Sequence, residues 1–484
     1  MKSLLTLFAF AATTCITAVA QACGGLGFFH DDNPESVERV EQFVQEMRAL
    51  GPEGLTAALE EYSRGCRGQK GLTPETHKRW QAALDQIAAQ RGAATSRLYW
   101  YTDLEAAKVA AEKSEKPILS LRMLGKLTDE YSCANSRFFR TTLYANEEIS
   151  NALRERFVLH WQSVRPVPKV TIDFGDGRKL ERTLTGNSAH YILSPQGRPL
   201  DVLPGLYSPQ KFLSWLGRVE QLAQHFIHIP KYDRVEPTRI RELRRYHQKS
   251  EQAILAAWRK DLVTIGTPQP LAVPTTAFNN AIPPKAPLAK EAMPLAMSKS
   301  LVEAPLLPLV AEQPANEPAS PDAVESAQVA VAKRAVAAPM IRNFVARGER
   351  LDKTTSDEQW EKIAALHRDE TKLDPSSVAV IRNENEDPRE AARRASSKRR
   401  VEDPILALVQ EFESNITLDT VKNEYQLHRR IHRWFLDGTI TSDFDQLNEK
   451  VYAELFLTPS SDPWLGLAPA NVYTALDKGG KVAQ

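Results

Sequence analysis

The chain has 484 residues, room for two or three domains, and its 62 Lys and Arg against 61 Asp and Glu leave a formal net charge of +1. No global field therefore draws it to nucleic acid or to an acidic membrane surface. There is no Gly-rich phosphate loop, no dinucleotide-binding fingerprint and no Gly-x-Ser-x-Gly elbow, which removes the commonest nucleotide-dependent and serine-hydrolase classes.

The first residues point to export. Lys2 gives a positive start, and Leu4 to Val19 is almost wholly apolar but shorter than the roughly 20 residues of a membrane span. Ala20-Gln21-Ala22 then places small residues for cleavage before Cys23. Residues 1–22 are expected to be a signal peptide and the mature protein periplasmic or secreted. A lipoprotein anchored through Cys23 is the alternative, and membrane association is expected only with that lipid. Gln21 fits poorly where a lipoprotein signal wants a small residue, so ordinary cleavage is favoured. Of four cysteines Cys15 leaves with the signal, and Cys23, Cys66 and Cys133 remain. In an oxidising compartment these allow at most one internal disulfide.

Residues 23–96 read as a helical unit. Val37, Val40, Phe43, Val44 and Met47 recur at helical spacing over Pro34–Leu50, with Asn33 as N-cap. A second helix spans Pro52–Arg64 and stops at Gly65, and a third spans Pro74–Arg91 between Thr73 and Gly92. From Leu98 the pattern alternates: strand Leu98–Thr102, Ala-rich helix Asp103–Ser114, buried strand Pro117–Met123, helical stretches Cys133–Leu143 and Asn146–Arg156, strand Phe157–Val164. Val170–Phe174 and Lys179–Leu184 flank Gly175-Asp176-Gly177, and Tyr191–Leu193 and Pro199–Leu203 flank Ser194-Pro195-Gln196-Gly197, predicting two hairpins. A helix then starts near Ser208-Pro209. The order predicts an α/β domain with a mixed sheet over residues 97–225.

Residues 226–266 read as a helical extension. Residues 267–339 hold 13 of the 31 prolines and few aromatics, too little apolar surface to offset the entropy of ordering, so a flexible linker is expected. Residues 340–484 read as an all-α C-terminal domain with helices over Asp357–Asp369 (Ser356 as N-cap), Asp403–Asn415, Leu418–Leu436 and Asp443–Phe456. The apolar tail Ser461–Leu467 is expected to pack back onto them.

The run from Trp100 to Ala107, then Glu115-Lys116-Pro117-Ile118-Leu119, resembles the opening of the thioredoxin-like superfamily, where a helix of small residues leads into a Lys-Pro-hydrophobic strand. Tyr191–Gly197 looks like that family's final hairpin, and Leu203–Tyr207 with Lys211-Phe212-Leu213 like its last strand and helix. The resemblance covers residues 97–225. It implies a redox motif at the start of the helix after the strand, where Cys133-Ala134-Asn135-Ser136 stands. The family's motif is Cys-x-x-Cys, whereas Ser136 occupies the resolving position here. Ser188 stands where the family usually has a cis-proline, and Asn187-Ser188 can still offer backbone to an extended peptide.

A lone Cys133 thiolate at a helix N-terminus, with Arg137 one turn on, would be an activated nucleophile. It can capture a client as a mixed disulfide but needs an outside thiol to release it. Cys133 can equally be an inert buried residue, or pair with Cys66 or Cys23. The candidate catalytic residues are thus Cys133, Ser136 and Arg137, and the candidate substrate-binding residues Asn187 and Ser188.

Other constellations are weaker. Glu424, His428 and His432 share one helix face, but Val421, Tyr425 and Phe435 lie on or beside it and no further ligand is evident, so core histidines are favoured over a metal. His225 and His228 lack a visible partner, and Cys23 with His30, Asp31 and Asp32 reads as terminal surface. The basic run Arg389–Arg400 sits between acidic stretches and reads as a solvated joint. No cofactor and no metal are expected. Two functions stay open: monothiol redox or client-thiol capture through Cys133, and a non-catalytic envelope interaction or scaffold module. The expected partners are protein thiol clients or an envelope protein.

Overall fold

The computed structural model describes residues 26–30, 33–68, 71–129, 134–173, 175–177, 179–183, 186–228, 235–267, 355–385, 404–440, 442–456 and 458–461. The expected signal peptide, Cys23, Cys133, residues 268–339 of the Pro/Ala-rich tract, the basic run and the tail from residue 462 lie outside them.

The N-terminal helices follow their caps. In α1 (Pro34–Ala49) Asn33 Oδ1 accepts the Ser36 N–H at 2.8 Å, and in α3 (Pro74–Ala88) Thr73 Oγ1 accepts the Thr76 N–H at 3.2 Å. Between them α2 (Pro52–Arg67) runs straight through Gly65. A Cβ there would lie 2.9 Å from Leu72 Cδ2, so glycine serves the packing of the following loop and does not end the helix. α3 stops at Ala89, which is left-handed at φ 51°, before reaching Arg91. Phe29 stacks on Trp80 at 3.9 Å, with Phe43 edge-on to both. Leu55, Leu59, Leu84 and Ile87 complete this small core.

The α/β part comprises α4 (Leu104–Ser114), β1 (Ile118–Leu124), α5 (Ala134–Phe138) running into a π-helical turn (Phe139–Leu143), α6 (Glu147–Arg156), β2 (Val158–Arg165), β3 (Lys169–Asp173), β4 (Lys179–Thr183), β5 (Ser188–Leu193), β6 (Pro199–Pro204) and α7 (Pro209–Ile227). The main sheet has the order β2-β1-β5-β6, with β1 parallel to β2 and antiparallel to β5, and β5 antiparallel to β6. β3 and β4 form a separate antiparallel pair around Gly175 and Gly177, both at positive φ. The expected strand Leu98–Thr102 does not form. Tyr101 alone makes a parallel bridge to His160, because the Trp100 N–H is already held by Ala88 O at 3.0 Å and the Leu98 N–H by Ser96 Oγ at 3.4 Å.

β1, β5 and β6 are buried at every residue, so both faces of the sheet are covered. Part of that cover is C-terminal. The helices on this side are α8 (Val235–Thr264), α9 (Asp357–Leu366), α10 (Pro375–Asn385), a long helix made of α11 (Pro404–Lys422), a π-helical turn (Asn423–His428) and α12 (Arg429–Leu436), and α13 (Phe444–Lys450) with a final π-helical turn (Val451–Leu455), of which all but α9 add residues to the sheet's core. The two helices expected over 403–436 are thus one, and α10 was not expected.

These helices share the sheet's core and also build a smaller one of their own. Ile431, Trp434, Phe444, Leu447 and Tyr452 join β1, β5, β6 and α7 in one apolar cluster. Tyr191 of β5 donates to Asn448 Oδ1 at 2.9 Å and meets Phe444 edge-on, while Arg122 of β1 lies over Phe444 and pairs with Asp445 at 3.1 Å. Trp258 of α8 stacks on Trp360 of α9 and Tyr425. Helices from either side of residues 268–354 therefore share cores, so the all-α domain expected over 340–484 is joined to the sheet. No helix among the described residues is long and apolar enough to cross a membrane.

His367, after α9, holds Asp261 of α8 at 2.8 Å. That hydrogen bond lifts the imidazole above its ordinary value of 6.5. A raised folded pKa stabilises fully below the unfolded value and is lost as pH climbs through the folded one. The unfolding free energy from urea titrations should therefore fall as pH rises past neutrality, by up to about 1 kcal/mol from this pair, and His367→Gln should flatten that part of the profile.

Candidate functional site

Of the residues assigned from sequence, Cys133 lies outside the described residues, while Ser136, Arg137, Asn187 and Ser188 are all buried. Two regions come together here. Asn135 Nδ2, at the start of α5, donates to Ser188 Oγ at 2.7 Å, tying the motif helix to the first residue of β5. The Ser136 hydroxyl is buried with no hydrogen-bond partner among the described residues, and the Arg137 carbonyl accepts Thr141 Oγ1 at 2.8 Å.

The backbone that would receive an extended peptide is already in use. Asn187 O accepts the Leu124 N–H at 3.2 Å and the Tyr452 hydroxyl at 3.1 Å, and Ser188 O accepts the Gly205 N–H at 2.8 Å. Asn187 Nδ2 donates to Thr458 Oγ1 at 3.3 Å. Tyr452 and Thr458 belong to the segment after α13, so the chain's own C-terminal part sits on Asn187. No cis peptide bond is present among the described residues.

A second cluster lies under β6. Asp201 is wholly buried; its Oδ2 accepts Trp215 Nε1 of α7 at 3.0 Å and the Tyr246 hydroxyl of α8 at 2.7 Å, and its Oδ1 accepts the Val202 N–H at 2.8 Å. Facing Oδ1 are His428 Nε2 at 3.5 Å and His432 Nδ1 at 4.0 Å. His428 Nδ1 donates to Glu424 Oε2 at 3.0 Å. His247 of α8 donates from Nε2 to Leu200 O at 3.0 Å, which leaves its Nδ1 to accept from His432 Nδ1 at 2.7 Å.

The charges follow from this packing. Burial pushes the Asp201 carboxyl up, but the His428 charge outweighs it and holds Asp201 well below the usual carboxylate range. Burial pushes His428 down, yet Asp201 and Glu424 together raise it to about 9. Burial and the His428 charge keep His432 well below its ordinary value, and burial lowers His247 to about 4. The resting state is an imidazolium between two carboxylates, backed by two neutral histidines.

Sequence spacing places Glu424, His428 and His432 on one face, and the structure places them so. Asp201 and His247 were missed. An acid inside the otherwise apolar run Pro199–Pro204 is the one signal that could have flagged the first; nothing marks His247 on the polar α8. His225 and His228 stand exposed at the end of α7, with His228 Nδ1 2.8 Å from Gln224 O. Cys66 is an exposed free thiol on α2, and burial with the neighbouring Cys66 pushes the Tyr62 hydroxyl up to about 12.

Two stability measurements test this geometry. Tyr452→Phe removes the hydroxyl from Asn187 O and should cost about 1 kcal/mol in denaturant unfolding, with the m-value unchanged. His428→Leu leaves Asp201 and Glu424 buried without their cation and should cost about 3–5 kcal/mol. Comparison with protein-family models, curated proteins and solved structures finds no match for this chain, so its function rests on the geometry of these two regions.

Proposed function

We propose that the chain is an exported, non-catalytic interaction module built on a thioredoxin-like sheet whose peptide-receiving position, at the start of β5 between β1 and β6, is covered by its own C-terminal segment. The observation that carries this reading is the occupation of Asn187 and Ser188: their carbonyls are taken by Leu124, Tyr452 and Gly205, and the Asn187 amide by Thr458. Acceptors already satisfied from within, by Leu124 of β1, Gly205 after β6 and Tyr452, offer a client peptide nothing to gain. The element order supports the sheet assignment. A parallel strand–helix–strand unit is followed by an antiparallel hairpin and a closing helix, which is the order on which the resemblance rests.

Monothiol redox chemistry is the second reading. It is favoured by the Asn135–Ser188 bond, which holds the helix after Cys133 against the start of β5. Ser136 at the resolving position speaks for slow release in that case, because a mixed disulfide on Cys133 would wait for an outside thiol.

The two readings part in a thiol assay on the full chain. Reduction of a protein disulfide with glutathione as the outside thiol should proceed at the same rate with the wild type and with Cys133→Ser. Turnover that the substitution abolishes, together with Cys133 alkylation that is rapid below the ordinary thiol range, would establish the redox reading instead.

A further inference from the structure

The Asp201 cluster contains more than its protons explain. The potential ligand atoms of Asp201, His428 and His432 all lie within 4.8 Å of one another, and all three residues are buried. A tetrahedral ion with bonds of about 2.0–2.1 Å spaces its donors by roughly 3.3–3.4 Å, and the Asp201–His428 and Asp201–His432 separations of 3.5 and 4.0 Å are near that. His428 Nε2 is enclosed with no well-aligned hydrogen-bond partner among the described residues and faces Asp201 Oδ1 at 3.5 Å.

The surroundings are those of a ligand set. A histidine that binds a metal through one nitrogen commonly donates from the other to a carboxylate or carbonyl, which fixes its tautomer and aim. His428 does this to Glu424, and His247, which stands against His432, does it to Leu200 O. Asp201 is held by Trp215, Tyr246 and its neighbour's amide, and Oδ1 takes only one of those three bonds. The helix carrying both histidines is π-helical over Asn423–His428, a widening that is frequent at functional sites. Gly205 makes room for it: a Cβ there would come 2.5 Å from Asn423 Nδ2.

We infer that Asp201, His428 and His432 form a binding site for a zinc-class divalent cation that clamps the C-terminal helices to β6. Two imidazoles and a carboxylate are the donor set of a borderline ion. The fourth position falls to a water or to His247. On binding, the dication enters, the proton on His428 Nε2 leaves to solvent, His432 moves its Nδ1 proton to Nε2 and gives up its bond to His247, and two plus charges meet the two carboxylates of Asp201 and Glu424. The enclosure of the three residues makes this a structural site rather than one open to substrate.

The test uses the full chain stripped with a chelator in denaturant and refolded with Co2+, then with Zn2+. One equivalent of Co2+ should bind with the intense visible bands of tetrahedral coordination, Zn2+ should displace it, and the melting temperature should rise. His432→Gln should weaken binding at least 100-fold, and Glu424→Gln, which keeps shape and only loosens the aim of His428, about 10–100-fold. If His432→Gln fails to fold, the Glu424→Gln comparison still decides. Failure of the refolded wild type to bind Co2+, or Co2+ affinity and spectrum unchanged in Glu424→Gln, overturns the assignment.

Discussion

A carboxylate buried in the middle of β6 sets the terms for the rest of this structure. Removing the Asp201 charge from water costs several kcal/mol, and the three neutral donors around it satisfy its lone pairs without neutralising it. Neutralisation comes from His428, on a helix far along the chain, while Tyr246 and Trp215 bring in α8 and α7. The sheet is therefore not complete until the C-terminal helices dock. Their docking is electrostatically specified as well as apolar, since Tyr191, Asn448, Arg122 and Asp445 add directed contacts across the same seam.

That dependence bears on function. The helices that answer Asp201 lead on to the segment that covers Asn187, so one docking event neutralises a buried charge and closes over the start of β5. A cation at the histidines would strengthen the same seam. Opening that position to a client would then mean exposing Asp201, Glu424 and a wide apolar surface together, a costly route compared with binding through an outer face.

Local structure was legible in the sequence where side chains act on their own neighbourhood. Asn33, Thr73 and Ser356 cap the helices as their positions predict, and Asp103 and Asn146, expected as first helical residues, are the caps of theirs. The turns of both hairpins form where glycine supplies positive φ, at Gly175, Gly177 and Gly197. Gly65 misled because its small size serves Leu72 and not a helix end, and Leu98–Thr102 misled because α3 captures its backbone. Periodicity also aligned Glu424, His428 and His432, but whether such a face holds a charge, an ion or only packing is decided by residues from other elements. Asp201 and His247 come to that face through tertiary folding, which no local pattern encodes. The same holds for Asn187 and Ser188: the strand expected from Tyr191 begins at Ser188, and the cover of Asn187 by Tyr452 and Thr458 comes from far along the chain.

The central claim is that the sheet and the C-terminal helices form one cooperative unit around Asp201, and native-state hydrogen exchange on the full chain tests it most directly. The account predicts that amides of β5 and β6 and those of α12 and α13 open with the same free energy and the same denaturant dependence. Exchange of α12 and α13 through a much lower opening free energy, with β5 and β6 still protected, would contradict it.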